Sequence, residues 1–136
     1  MMSIEQAVQN NDTELVKELL KNGADANYLL PDRSGLSLLH WACDNGHLEV
    51  AEMLLDRGAK IEAVGRGRIY ILRLAIGSNF CFTPLQLACE RGHLHIAEML
   101  LERGANKDAS DPDDELSSLH FACQNGHVPI VQLLLD

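Results

Sequence analysis

Residues Leu38–Ala59 read LLHWACDNGHLEVAEMLLDRGA, and two further stretches of the chain are near copies of them. The copies are Pro84–Ala105, PLQLACERGHLHIAEMLLERGA, and Ser118–Asp136, SLHFACQNGHVPIVQLLLD. A weaker fourth copy, Ile4–Ala24, reads IEQAVQNNDTELVKELLKNGA. Such repetition indicates that each copy is one supersecondary unit, which buries its apolar face by stacking on its neighbours. A stack of this kind offers an extended surface, and this favours a binding module.

The second and third copies each predict two short helices that end at glycines. In the second copy, a first helix is expected from the cap residue Ser37 to about Asn45, and a second helix over residues 48–57. Gly46 and Gly58 follow these helices, and glycine tolerates the left-handed backbone that closes a helix. The sequence therefore predicts a helix–turn–helix unit.

The Ala-Cys-x-x-Gly-His core, closed by Gly-Ala, resembles the ankyrin repeat. The matching residues are Leu39-His40, Ala42, Gly46-His47 and Gly58-Ala59, then Thr83-Pro84-Leu85, Ala88, Gly92-His93 and Gly104-Ala105, and finally Leu119-His120, Ala122 and Gly126-His127. The first copy departs from the pattern, with Asn11-Asp12 where Gly-His would stand, and this resembles a capping repeat. The resemblance implies an all-α ankyrin-repeat solenoid of stacked helix–turn–helix units with β-turn fingers.

The spacing of the units is uneven. Equivalent alanines at positions 7, 42, 88 and 122 are 35, 46 and 34 residues apart, whereas ankyrin units recur at about 33 residues. Despite this unevenness, the length of the chain is that of one domain, and we expect a single domain over residues 1–136. Its units are predicted at about 3–35, 36–63, 82–110 and 117–136, with an insert at 64–81.

The insert differs in composition from the rest of the chain. It carries Arg66, Arg68 and Arg73 around the apolar, β-prone run Ile69–Ile76, and it contains no acidic residue. Three interpretations stay open. The insert is an extended finger that docks a partner, a cover that folds back on the stack, or sequence that is not natural coding.

The composition of the chain limits the kinds of partner and the cellular compartments that we expect for it. The formal charge of −9 argues against non-specific nucleic-acid binding and favours a protein partner with a neutral or basic surface. The longest apolar run, Ile69–Leu72, is too short to span a membrane. Cys43, Cys89 and Cys123 occupy the same position in three successive units, which indicates reduced thiols. We therefore expect an intracellular protein, cytoplasmic or nuclear or both.

The recurring Cys-x-x-x-His pattern could suggest zinc, as in the pair Cys43 and His47, but a glycine interrupts each helix before its histidine. We expect instead a buried thiol and a histidine that bonds to backbone. In the family, the residues at His40 and His120 tie neighbouring units together by hydrogen bonds. No nucleophile with a base and an orienting acid recurs nearby, so the chain is not expected to be an enzyme, and no metal or cofactor is predicted.

Ankyrin stacks bind partners through their finger tips and first helices, and the resemblance extends this role to the corresponding positions here. Those residues are Arg33, Ser34, Leu36, Asp44, Asn45, Asn79, Phe80, Phe82, Glu90, Arg91, Asp113, Asp114, Leu116, Gln124 and Asn125. The predicted function is a protein–protein interaction module, as in a scaffold or adaptor. The alternative is a regulatory ankyrin segment of a larger enzyme or channel. Because the fourth unit stops before its Gly-Ala, its last helix has no polar cap repeat beyond it. We expect further repeats beyond Asp136, and the alternative is that this face is an interface.

Overall fold

Four helix pairs follow one another along the chain. The computed structural model describes residues 2–31, 35–66, 81–110 and 116–136, without the side chains of Arg66 and Cys81. Within these ranges there are eight helices: α1 (Ile4–Gln9), α2 (Thr13–Lys21), α3 (Leu38–Asn45), α4 (Leu48–Asp56), α5 (Pro84–Arg91), α6 (Leu94–Glu102), α7 (Ser118–Gln124) and α8 (Val128–Leu135).

The helices form two rows. The first helices of the pairs (α1, α3, α5 and α7, called the inner helices below) pack on one another in chain order, and α2, α4, α6 and α8 form the second row. One buried apolar cluster runs through the stack from Ala7 to Leu134. Buried leucines such as Leu54 and Leu100 each contribute about 1.5–3 kcal/mol by leaving water. The predicted all-α ankyrin solenoid is confirmed.

Caps and glycines set the helix ends where the sequence predicts them. Ser37 and Thr83 accept hydrogen bonds from the backbone N–H three residues later and begin α3 and α5. Gly46 ends α3 with φ of 76°, in the left-handed region. In the first unit, Asn11 takes this position with φ of 51°, a conformation that asparagine tolerates better than most side chains.

The Gly-His pairs have a second role at the contacts between units. Nε2 of His93 donates to the carbonyl oxygen of Asp44 at 3.0 Å, and a methyl group on Gly46 would lie 2.9 Å from Cε1 of this ring. His127 stands against Gly92 in the same way. The glycine of one unit therefore leaves space for the histidine of the next. The expected histidine–backbone bond is present for His93 and His127, where it crosses between units, whereas Nδ1 of His47 is buried without a hydrogen-bond partner among the described residues.

A second set of bonds ties the starts of α3 and α5 to the base of the finger that follows each of them. The Ser37 N–H donates to Nδ1 of His40 at 3.0 Å, so the ring carries its hydrogen on Nε2, which donates to the carbonyl of Phe82 at 2.8 Å. Gln86 uses its amide in the same manner, and Nε2 donates to the Ala109 carbonyl at 2.9 Å. The role implied for His40 is confirmed. His120 accepts from the Ser117 N–H, and its ring is exposed.

Short antiparallel pairings form the bases of the fingers. Leu29 pairs with Ser37, and Ser110 pairs with Ser117. Between them, β1 (Gly65–Arg66) pairs with β2 (Cys81–Phe82). The described residues on either side of 67–80 thus form a finger base that resembles its two neighbours. Residues 67–80 lie outside the described residues, so the three interpretations of the insert remain predictions.

Candidate partner-binding surface

Six of the predicted contact residues come together at the C-terminal ends of three neighbouring inner helices. They are Asp44 and Asn45 on α3, Glu90 and Arg91 on α5, and Gln124 and Asn125 at the end of α7. We call this set the inner-helix surface. Each pair immediately precedes the glycine that turns the chain toward the second row, so the repeated sequence pattern brings the three pairs to the same edge of adjacent helices.

Two hydrogen bonds join the pairs across units. Nε of Arg91 donates to Oδ1 of Asp44 at 2.7 Å. Nδ2 of Asn125 donates to Oε2 of Glu90 at 2.8 Å, and the same amide also donates to the carbonyl of Phe121 at 2.9 Å. These side chains are therefore held in place before any ligand arrives, which lowers the entropy that binding would cost.

Glu90 has the most unusual environment on the inner-helix surface. Its side chain is half-buried, and burial raises the pKa of its carboxyl group above the ordinary value. The Asn125 hydrogen bond and the charge of Arg91 act in the opposite direction, and Asp44 adds to the increase. The backbone of Glu90 is also fixed, because its carbonyl accepts from Nε2 of His127 at 3.0 Å.

The expectation that Phe82 contacts a partner has to be corrected. Its ring is 1% exposed and forms a small apolar cluster with Leu87 and Phe121, whose ring centroid is 5.1 Å away. Phe82 directly precedes the cap Thr83, and Leu87 is the fourth residue of the helix that follows. An apolar pair at these two positions is a hydrophobic staple, and this spacing could have revealed the burial from the sequence.

Leu36 and Leu116 occupy the same position before their own helix caps. Both are half-buried; Leu116 packs against the Phe82 cluster, and Leu36 packs against the main core. Their primary role is therefore internal packing. The remaining predicted contacts lie outside the described residues: Arg33, Ser34, Asn79, Phe80, Asp113 and Asp114.

The thiols and imidazoles of the described residues do not gather into a metal centre. Cys43 and Cys89 are buried, and burial raises the pKa of both thiols, that of Cys89 to about 12. His93 and His127 are occupied with backbone carbonyls. In the described part of the chain, no group of three or more His, Cys, Asp or Glu residues could hold a metal ion.

None of the helices in the described ranges combines the length and the apolar character needed to cross a bilayer.

Comparison with known proteins agrees with this architecture. The family model for "Ankyrin repeats (3 copies)" matches residues 4–65 and 61–136. Mouse palmitoyltransferase ZDHHC13 is 40% identical over 62 residues, which are 46% of this chain and 10% of that protein. Human ankyrin repeat domain-containing protein 39 is 40% identical over 57 residues, which are 42% of this chain and 30% of that protein.

Rice potassium channel AKT1 (subspecies indica) is 39% identical over 56 residues, 41% of this chain and 6% of the channel. The chain thus spans between 6 and 30% of the length of these three relatives. The family match, in contrast, covers nearly all of the chain and coincides with the four stacked helix pairs. The chain belongs to the ankyrin repeat family.

Proposed function

We propose that the chain is a protein–protein interaction module that holds its partner on the inner-helix surface. Ankyrin repeats are protein-interaction modules in general, and no catalytic constellation was found in the sequence. The observation that carries the proposal is the row of polar side chains held by bonds between units, Arg91 to Asp44 and Asn125 to Glu90. A rigid polar row of this kind can give a partner orientation as well as affinity.

The test is quantitative affinity capture with the intact chain and two matched variants. Asn45→Arg combined with Gln124→Arg places two bulky cations on the inner-helix surface, where both side chains are exposed. The control, Asn22→Arg with Gln132→Arg, makes the same chemical change at exposed positions beside the second row. We expect proteins that are captured by the wild type and the control and lost by the first variant. Equal capture by all three would contradict the proposal.

A second candidate is a regulatory ankyrin segment within a larger enzyme or channel. It is supported by the similarity to mouse palmitoyltransferase ZDHHC13 and rice potassium channel AKT1, each many times longer than the matched stretch. In this case the inner-helix surface would bind another part of the same protein. A natural transcript that carries catalytic or membrane sequence before or after this chain would support it, and a transcript that carries neither would contradict it.

We also propose that the protein is intracellular, in the cytoplasm or the nucleus. Free thiols at Cys43, Cys89 and Cys123 support a reducing environment. Fractionation of cells that express the tagged chain tests this location, and recovery from the secreted fraction would contradict it.

A further inference from the structure

The charges on the inner-helix surface are unevenly paired, and this bears on the chemistry of the partner. Of its six side chains, Asp44 and Glu90 are acidic and Arg91 is the one cation. Arg91 is committed to Asp44, because its Nε lies 2.7 Å from Oδ1. Glu90 receives a neutral amide from Asn125 and no direct ion pair within the described residues. Among the described residues, one carboxylate on the proposed surface therefore lacks a direct ion-pair partner.

The Glu90 carboxylate is also fixed in position. Asn125 holds Oε2, and Asn125 is itself anchored to the carbonyl of Phe121. His127 holds the Glu90 backbone through its carbonyl oxygen. Within the described residues, Oε1 has no hydrogen-bond partner, so this oxygen can accept a bond from a ligand without disturbing the contact with Asn125. A half-buried, pre-positioned carboxylate gains more from a cation than a mobile one at the surface.

We propose that the protein partner presents a lysine or arginine side chain to Glu90. The inference rests on the proposed function, since it assumes that the partner lies on the inner-helix surface. A neutral donor would leave the Glu90 charge uncompensated, and an acidic group would be repelled by Glu90 and by the formal charge of −9 on the chain. Asn45 and Gln124 are exposed on the neighbouring inner helices, α3 and α7, and their amide oxygens can accept further hydrogen bonds from a partner.

The experiment uses a phage-displayed library of random linear peptides, selected on the intact chain. Enriched peptides are synthesised, and their affinities are measured for the wild type, Glu90→Gln and Glu102→Gln. The last variant removes a carboxylate from an exposed position on α6 and is the matched control. We expect the enriched peptides to share a lysine or arginine, to bind Glu90→Gln roughly tenfold or more weakly, and to bind the control as tightly as the wild type.

A second measurement does not depend on how well the variant folds. The shared cation of the peptide is replaced by acetyllysine or citrulline, and affinity is measured on the unaltered chain. We expect the same loss of affinity, and no additional loss when the altered peptide is combined with Glu90→Gln.

The outcomes separate this inference from the function on which it rests. Suppose the peptides lose affinity for Asn45→Arg with Gln124→Arg but share no cation, or bind Glu90→Gln unchanged. The assignment of a cation to Glu90 is then overturned, and the proposed surface stands. If the selection gives no peptide, or only peptides indifferent to all substitutions on the inner-helix surface, both proposals are overturned.

Discussion

At the scale of single residues, two structural features require glycine at position 92. Its φ of 79° is left-handed, which costs other residues about 1–2 kcal/mol. A methyl group there would also lie 2.6 Å from Cε1 of His127, a ring held by its bond to the Glu90 carbonyl. We expect Gly92→Ala to lower the free energy of unfolding by about 2–4 kcal/mol, because the ring must move and its bond is weakened.

Gly104→Ala is the matched control for this prediction. Gly104 has a φ of 92°, and a methyl group there would meet no atom within 4 Å. Gly104→Ala should lower the free energy of unfolding only by the cost of the left-handed backbone, about 1–2 kcal/mol. Urea denaturation of both variants measures the difference. Equal losses would mean that the contact between Gly92 and His127 contributes nothing to stability.

His40 and Gln86 occupy the same position in their units and make equivalent hydrogen bonds with different side chains. Each accepts a bond from the backbone N–H of its own helix cap and donates to a carbonyl beyond it. We expect His40→Gln to cost about 1 kcal/mol or less. His40→Ala should cost about 2–4 kcal/mol, because it removes the hydrogen bonds to the Phe82 carbonyl and the Ser37 N–H and opens a cavity. Thermal and urea denaturation of the two variants checks this order, and similar losses would contradict it.

His40 should also make stability depend on pH. Burial lowers the pKa of His40 from its ordinary value of 6.5, while bonds to the Phe82 and Ala63 backbone act against this shift. The unfolded chain therefore binds a proton more readily, so the contribution of His40 is complete above about pH 6.5 and decreases as the pH falls below it.

The slope from one such proton is at most about 1.4 kcal/mol per pH unit. Between about pH 7.5 and about pH 5.5, we expect His40→Gln to lose less unfolding free energy than the wild type. His47, whose pKa burial also lowers, is present in both proteins and does not affect the comparison. An identical pH dependence in the two proteins would exclude His40 as its source.

At the scale of helices and fingers, the helix ends could be predicted from the sequence, because residues close to them in the chain determine where they fall. The first helix of the second unit ends at Asn45 as expected, because Ser37 and Gly46 mark its ends in the sequence. The local staple of Phe82 with Leu87 was overlooked in the sequence, and the contact of Phe82 with Phe121 could not be predicted, because Phe121 comes from the next unit and only the packed structure brings the two rings together. The bonds between units that involve Asp44 and Glu90 were missed for the same reason.

The insert can be tested as an element. Replacing residues 67–80 by Asn-Gly should close β1 and β2 with a two-residue hairpin turn. It keeps Phe82 and every contact among the described helices, so we expect the free energy of unfolding to change by about 1 kcal/mol or less. Chemical denaturation measures this. A larger loss would support the insert as a cover over the stack, and lost partner capture with unchanged stability would support a docking finger.

At the scale of the whole molecule, the stack is a series of similar contacts. Each unit forms hydrogen bonds and packing contacts with the unit before it. His40 and Gln86 bond forward, His93 and His127 bond backward, and Gly46 and Gly92 receive the rings. Asn27 and Glu62 repeat the pattern in the fingers, where each accepts from a backbone N–H of the following unit. Stability in such a stack is the sum of units and shared contacts, so protection from solvent should vary along the chain.

Three cysteines at one repeated position make this variation measurable. Cys43 and Cys89 are fully buried between units, whereas Cys123 on α7 is exposed. The thiolate is the reactive form, and burial raises the pKa of both inner thiols, so these two react only when the stack opens. An opening free energy above about 2.7 kcal/mol slows a reaction about 100-fold.

We therefore expect iodoacetamide to modify Cys123 at least about 100-fold faster than Cys43 or Cys89, as followed by peptide mass spectrometry. In denaturing urea the three thiols should react at similar rates, and this is the control for their intrinsic reactivity. Modification of Cys43 as fast as that of Cys123 in the native chain would show that the units do not form a continuous packed interior, and the inner-helix surface would then lack the rigid support that its proposed role requires.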